Sequence, residues 1–134
     1  MDVVLQTNDD AKYLALLNVE RFSDGSGFCM QLSVRSEAFA GSMQFCFEPS
    51  PLEKFVADLE RMDRTLTGDA RLKPLYEESQ VTLEMTHSGG VVVSGDLVQY
   101  AGHTHRLQFG FGTDQTCLAP LIRDLRACLV ATAV

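Results

Sequence analysis

Three histidines and four cysteines hold most of the sequence's capacity for chemistry. His103 and His105, separated by Thr104, would turn both imidazoles to one face of an extended segment, as a metal site asks. They follow Gly102 at an expected hairpin tip, with no third ligand at a recognisable spacing, so a solvated turn is the reading. His87, beside Ser88-Gly89-Gly90, reads the same way. A cysteine nucleophile needs a histidine within hydrogen-bond reach. Cys46 and His87 would have to meet, and no spacing favours that. Cys29, Cys46, Cys117 and Cys128 form no CxxC, which argues against zinc. All four are expected as reduced thiols acting as small hydrophobes.

Two other patterns invite chemistry. GFGTDQ at Gly110 to Gln115 joins a strand to a helix, where backbone N–H groups attract anions. It lacks the third glycine and the Lys-Ser/Thr of a phosphate loop, and Asp114 would repel a phosphate, so it reads as a helix cap. Asp58 and Asp124 occupy matching places in two helices and could form an acid/base pair. The simpler expectation is local pairing at the rim of the core, Asp58 with Lys54 or Arg61. No G-x-S-x-G elbow is present. No residue is therefore assigned a catalytic, cofactor-binding or metal-binding role.

Composition narrows the function further. The formal charge of −7 leaves no surplus of Lys and Arg to displace counterions from a nucleic acid. The same charge suits a basic protein partner, because complementary fields speed association. No apolar run reaches the ~20 residues that span a bilayer. MDVVLQTNDD has no basic start and no long apolar stretch, so it is not read as a signal peptide. Cytoplasmic residence is the expectation. With 134 residues, one domain spanning 1–134 is expected.

The elements that must position any site are written twice. MQFCF at Met43 to Phe47 returns as LQFGF at Leu107 to Phe111. Each is followed by L-x-x-[FL]-[VI]-x-D-L, as LEKFVADL and LAPLIRDL. Upstream, Leu5 and Leu16 enclose Asp9-Asp10, and Leu72 and Leu83, at the same spacing, enclose Glu77-Glu78. Three matches in one order indicate an internal duplication, with repeats over about 3–68 and 70–131. Two copies are too few for a solenoid. They suggest two halves completing one core across a pseudo-twofold axis.

Each half reads as strands and then a helix. Tyr13 to Glu20, Phe28 to Arg35 and Phe39 to Glu48 are the strands of the first half, with DGSG turning the chain at Asp24 to Gly27. The second half has Val81 to Thr86, Val91 to Tyr100 and a strand through Leu107 to Phe111, with Gly95 expected at a bulge. Ser50-Pro51-Leu52-Glu53 reads as a capping box opening a helix with Leu52, Phe55, Val56, Leu59, Met62 and Leu66 on one stripe, stopped by Gly68. Leu118, Leu121, Ile122, Leu125 and Leu129 form the second stripe, capped by Asp114 or Thr116. The expected fold is α+β, a two-layer sandwich. Its mostly antiparallel sheet has six or more strands, with two helices on one face, in a (βββα)2 arrangement.

The strand ending in QF-x-F, the helix L-x-x-F-V-x-D-L, the GDARL link, the strands VTLEM and GGVVVSGDL, and TDQTCLAPLIRDL together resemble the WapI-like family. These are small bacterial proteins found as immunity partners of secreted contact-dependent toxins. The resemblance runs from about Tyr13 to Leu129 and carries no catalytic residues. It implies a non-catalytic protein that binds and blocks a toxin, expected to be basic. The exposed pairs Asp9-Asp10 and Glu77-Glu78 are the expected partner-binding residues, because the repeat sets both before a strand. One alternative is a small-ligand binder or minor enzyme with a pocket between sheet and helices. Another is a module that forms a homodimer through its sheet.

Overall fold

In the computed structural model, which describes residues 1–130, the strands β1 (Val3–Val4), β2 (Lys12–Arg21), β3 (Phe28–Ser36) and β4 (Phe39–Phe47) precede helix α1 (Pro49–Thr65). Strands β5 (Asp69–Leu72), β6 (Gln80–Met85), β7 (Gly90–Ala101) and β8 (His103–Asp114) precede α2 (Leu118–Val130). The α+β class stands, and all six expected strands and both helices form. The strands divide between two four-stranded antiparallel sheets, ordered β1-β2-β3-β4 and β5-β6-β7-β8, instead of joining in one. The two extra strands, β1 and β5, are two and four residues long. Neither is long enough for alternation to announce it. Residue 131, the end of the second repeat, lies outside the described residues.

Alternation sets the face of each strand. Phe28, Met30, Leu32 and Val34 are buried and point inward, as do Phe45 and Phe47 of β4, whose register places Phe45 opposite Met30 and Phe47 opposite Phe28. In the second sheet Val81 and Leu83, Val91 and Val93, and Phe109 and Phe111 do the same. These residues join the helix stripes Leu52, Phe55, Val56, Leu59 and Met62, and Leu118, Leu121 and Leu125, in one apolar cluster. Helix α1 packs on β5 and on α2, while α2 returns to β1, so each helix meets the opening strand of the other half. An ion pair between Arg126 and Glu60 ties the helices at the surface.

Local details depart from expectation in instructive ways. The capping box does not form: Glu48 precedes α1 without a side-chain cap, and Pro49 and Pro51 open the helix, where no N–H is needed. Leu66, not Gly68, ends the helix in a left-handed conformation (φ 58°), its N–H bonding to the Met62 carbonyl at 2.8 Å, and is half exposed instead of completing the stripe. Asp114 caps the 3-10 turn Gln115–Cys117 through the Thr116 N–H at 2.9 Å, and Pro120 falls in the first turn of α2.

The expected bulge at Gly95 is absent: β6 and β7 stay in register there. Gly95 is required by close approach, since a side chain would strike the Gln80 carbonyl and the Phe109 ring. The bulge lies in β2 between Leu17 and Glu20, where Asn18 takes φ 55°. The bulged Asn18 N–H bonds to Asp2 Oδ1 at 2.8 Å and the Val19 N–H to the Met1 carbonyl at 2.8 Å.

The cysteines also differ from expectation. Cys29 and Cys46 are direct cross-strand neighbours, with Cα atoms 4.1 Å apart, and are joined as a disulfide. Spacing of 17 residues along the chain gave no hint of it; the register of a hairpin did. Cys117 and Cys128 are free, buried thiols, as expected. Burial, with Asp114 nearby, pushes the Cys117 thiol up to about 11, and burial raises Cys128 as well.

Two measurements check this packing. Phe45→Ala and Phe109→Ala should each lower unfolding free energy by about 3–5 kcal/mol in denaturant titrations. A loss under about 1 kcal/mol at either would put that ring outside the core. Unfolded, unreduced protein should expose two reactive thiols and reduced protein four, whereas native Cys117 and Cys128 should alkylate slowly because thiolate formation is suppressed.

Candidate partner-binding surface

The side chains first considered for chemistry do not converge. His87 is exposed on the turn between β6 and β7, and His103 and His105 are exposed at the start of β8. Cys46 is bonded to Cys29. Asp58 is buried and held on both sides, by Lys54 Nζ at 2.7 Å and by the Arg61 guanidinium, so both expected partners are used. Asp124 pairs with Arg123 at 3.2 Å. Among the described residues no three His, Cys, Asp or Glu side chains gather as a metal site would require. The cavity between the two sheets, α1 and α2, lined by Leu5, Leu14, Ala15, Phe55, Leu83 and Leu121, measures about 20 Å³. That volume is the size of one water and is walled by apolar groups.

The four acidic residues fall into two places. Asp9 folds its own turn: its Oδ1 accepts the Ala11 N–H at 2.9 Å and its backbone carbonyl accepts the Lys12 N–H at 3.0 Å. Asp10 is exposed beside Tyr13, Arg35 and Ala40, at the end of the first sheet where β4 begins. Glu77 lies beside Phe22, Cys46, Phe47 and Glu48, where β4 ends. Nine residues of extended strand separate the two ends, roughly 30 Å. Glu78 is engaged within its own sheet, accepting from Tyr100 Oη at 2.6 Å and from Arg106 at 3.2 Å. That bond and the adjacent negative charge raise the Tyr100 phenol.

Around Glu77 the surface is more than acidic. Tyr76 is 89% exposed and Phe22 44%, and they border a shallow groove of about 220 Å³ floored by Cys46 and Phe47, with Leu75, 58% exposed, next to Tyr76 in the chain. The loop presenting them is fixed. Pro74 is buried, Lys73 Nζ bonds to the Glu77 carbonyl at 2.8 Å, and the Leu75 N–H approaches Glu48 Oε2 at 3.4 Å. Partial burial and the facing Glu48 push the Glu77 carboxyl above its ordinary range. On the far side of Leu75 the charge changes sign, with Lys54, Arg71 and Lys73 lining a second shallow depression.

Sequence reasoning reached Glu77 and missed Phe22, Glu48, Leu75 and Tyr76. The available signal was Leu-Tyr stranded between Pro74 and Glu77-Glu78, an apolar pair in a loop with no periodicity to bury it. Such residues are the ones that anchor protein interfaces.

Two four-stranded antiparallel sheets, each followed by a helix, define a fold class found elsewhere. The structure described as "Crystal structures of trypanosoma bruciei MRP1/MRP2" matches with a TM-score of 0.54 and 13% identity, over 96% of this chain and 82% of that one. At that identity the likeness is one of fold. No curated protein matches the chain. The family is narrower than the fold class: the Immunity protein WapI-like family matches residues 5–132, nearly the whole chain, and the chain belongs to it.

The Glu78 network yields a pH test. Glu78→Ala removes the hydrogen bond and the charge that hold the Tyr100 phenol up, so its absorbance titration should move down toward ~10. An unchanged titration would mean that Tyr100 and Glu78 are apart in solution.

Proposed function

We propose that this protein is a non-catalytic immunity partner that binds and blocks a basic toxin domain. The observation that carries the reading is the family match across residues 5–132. The net charge of −7 and the aromatic surface bordered by Glu48 and Glu77 support it. Tyr76, Leu75 and Phe22 would supply the apolar anchors and the carboxylates the field. Asp9, Asp10, Glu77 and Glu78 all add to that field. At ~0.15 M salt charges act within about 8 Å, so the two ends of the sheet cannot border one small contact equally. Glu77, beside the anchors, is the acidic residue closest to the contact, and Asp9 and Asp10 add to steering chiefly at low ionic strength, where screening is weaker.

The test uses a partner recovered by tagged pull-down from the source cells, with association measured by surface plasmon resonance at several salt concentrations. Neutralising Asp9, Asp10, Glu77 and Glu78 together should preserve the fold, slow association several-fold and flatten its salt dependence. Tyr76→Ala should weaken binding at least ~30-fold, the loss expected on truncating an aromatic hot spot. Association insensitive to both salt and the acidic substitutions would reject the steering mechanism. Full affinity in Tyr76→Ala would move the contact elsewhere.

A further inference from the structure

Glu48 and Ser50 stand on either side of Pro49, and Leu75 and Glu77 on either side of Tyr76, yet each pair is divided between two depressions. Glu48 and Glu77 line the groove beside Phe22 and Tyr76. Ser50 and Leu75 line the other, about 400 Å³, with Lys54, Arg71 and Lys73. The loop from Lys73 to Glu77 is thus a ridge between a negative flank and a positive one. Two residues of chain span at most about 7 Å, inside the ~8 Å over which charges act at ~0.15 M salt, so a single partner contact would cover both flanks.

The positive flank is a concentration that solubility does not require. The chain has 11 Lys and Arg against 18 Asp and Glu, yet three of those cations line this depression and no carboxylate does. Lys54 shares Asp58 with Arg61, which leaves that group net positive. The bond from Lys73 Nζ to the Glu77 carbonyl, 2.8 Å, holds the ammonium without neutralising it. Among the described residues Arg71 makes no ion pair, and none crosses the ridge, so both flanks keep charge for an outside group. Pro49 and Pro51 remove N–H groups from the first turn of α1, so an anion there falls to the side chains. We propose that the partner is read on both flanks at once: a basic side chain enters the Glu48–Glu77 groove, and a carboxylate of the same partner settles among Lys54, Arg71 and Lys73. Leu75 and Tyr76 lie between the two. This rests on the immunity reading and adds that the contact is bipolar, not merely basic. The planar fork of Arg71 matches a carboxylate, and a uniformly basic surface would be repelled at the positive flank, so the pattern selects among basic proteins.

Peptide titrations followed by amide NMR shifts test the charge pattern with no partner present, and so judge it even if the immunity reading fails. Tetraglutamate, repelled by the −7 chain as a whole, should still perturb Arg71, Lys73 and Leu75, and Arg71→Glu should abolish those shifts. Tetralysine should perturb Glu48, Tyr76 and Glu77. Shifts with inorganic phosphate but not with tetraglutamate, or shifts scattered over the surface, would overturn the carboxylate site. With the recovered partner the sign of one effect decides. Were the contact merely basic, Arg71→Glu would add favourable negative charge and speed association. By this proposal it should raise the dissociation rate at least ~10-fold, with unchanged circular dichroism. Binding unchanged or tighter in Arg71→Glu, while Tyr76→Ala still weakens it, would overturn the bipolar contact and leave the immunity reading standing.

Discussion

Burial of two sheet faces that cannot cover themselves is the constraint on which this molecule depends. A four-stranded sheet with one short helix leaves part of its apolar face wet. Here the shortfall of each half is met by the other, through one cluster that includes Phe45, Phe109 and both helix stripes. The close approach shows in what the seam excludes. At Gly41 a side chain would run into Leu107 of the opposite sheet, so that position of β4 must stay bare for the halves to meet. The same economy recurs at Gly95, over the Phe109 ring.

This mutual dependence explains why the fold was legible in the sequence and why some of it was not. Alternation along Phe28 to Val34 and the helical stripes at Leu52 and Leu118 are responses to burial, which leaves a periodic trace. Whether six strands form one sheet or are shared between two depends on contacts between distant residues, and periodicity is blind to that. The Cys29–Cys46 bond was hidden for the same reason: it follows from register, not spacing. The surface around Tyr76 was half legible. Charge drew attention to Glu77, but Phe22 and Glu48 reach the same groove only through the strand ends that bring them there.

The placement of charge also bears on how such a protein meets its partner. Several carboxylates are occupied with local tasks: Asp9 shapes a turn, Glu78 ties Tyr100 and Arg106, Asp58 holds two cations at the edge of the core. Glu48 and Glu77 stand against one another beside exposed rings, and that like-charge crowding would be relieved by an approaching cation.

The two ends of the described chain are interlaced. Met1 and Asp2 are bonded to the bulge in β2, β1 lies under α2, and the Leu129 carbonyl accepts from Arg21. During synthesis the first sheet therefore emerges long before the helix that roofs its opening strand. At about 5–20 residues per second the interval lasts several seconds. Throughout it the first half must wait with its opening strand unroofed, until α2 has left the ribosome.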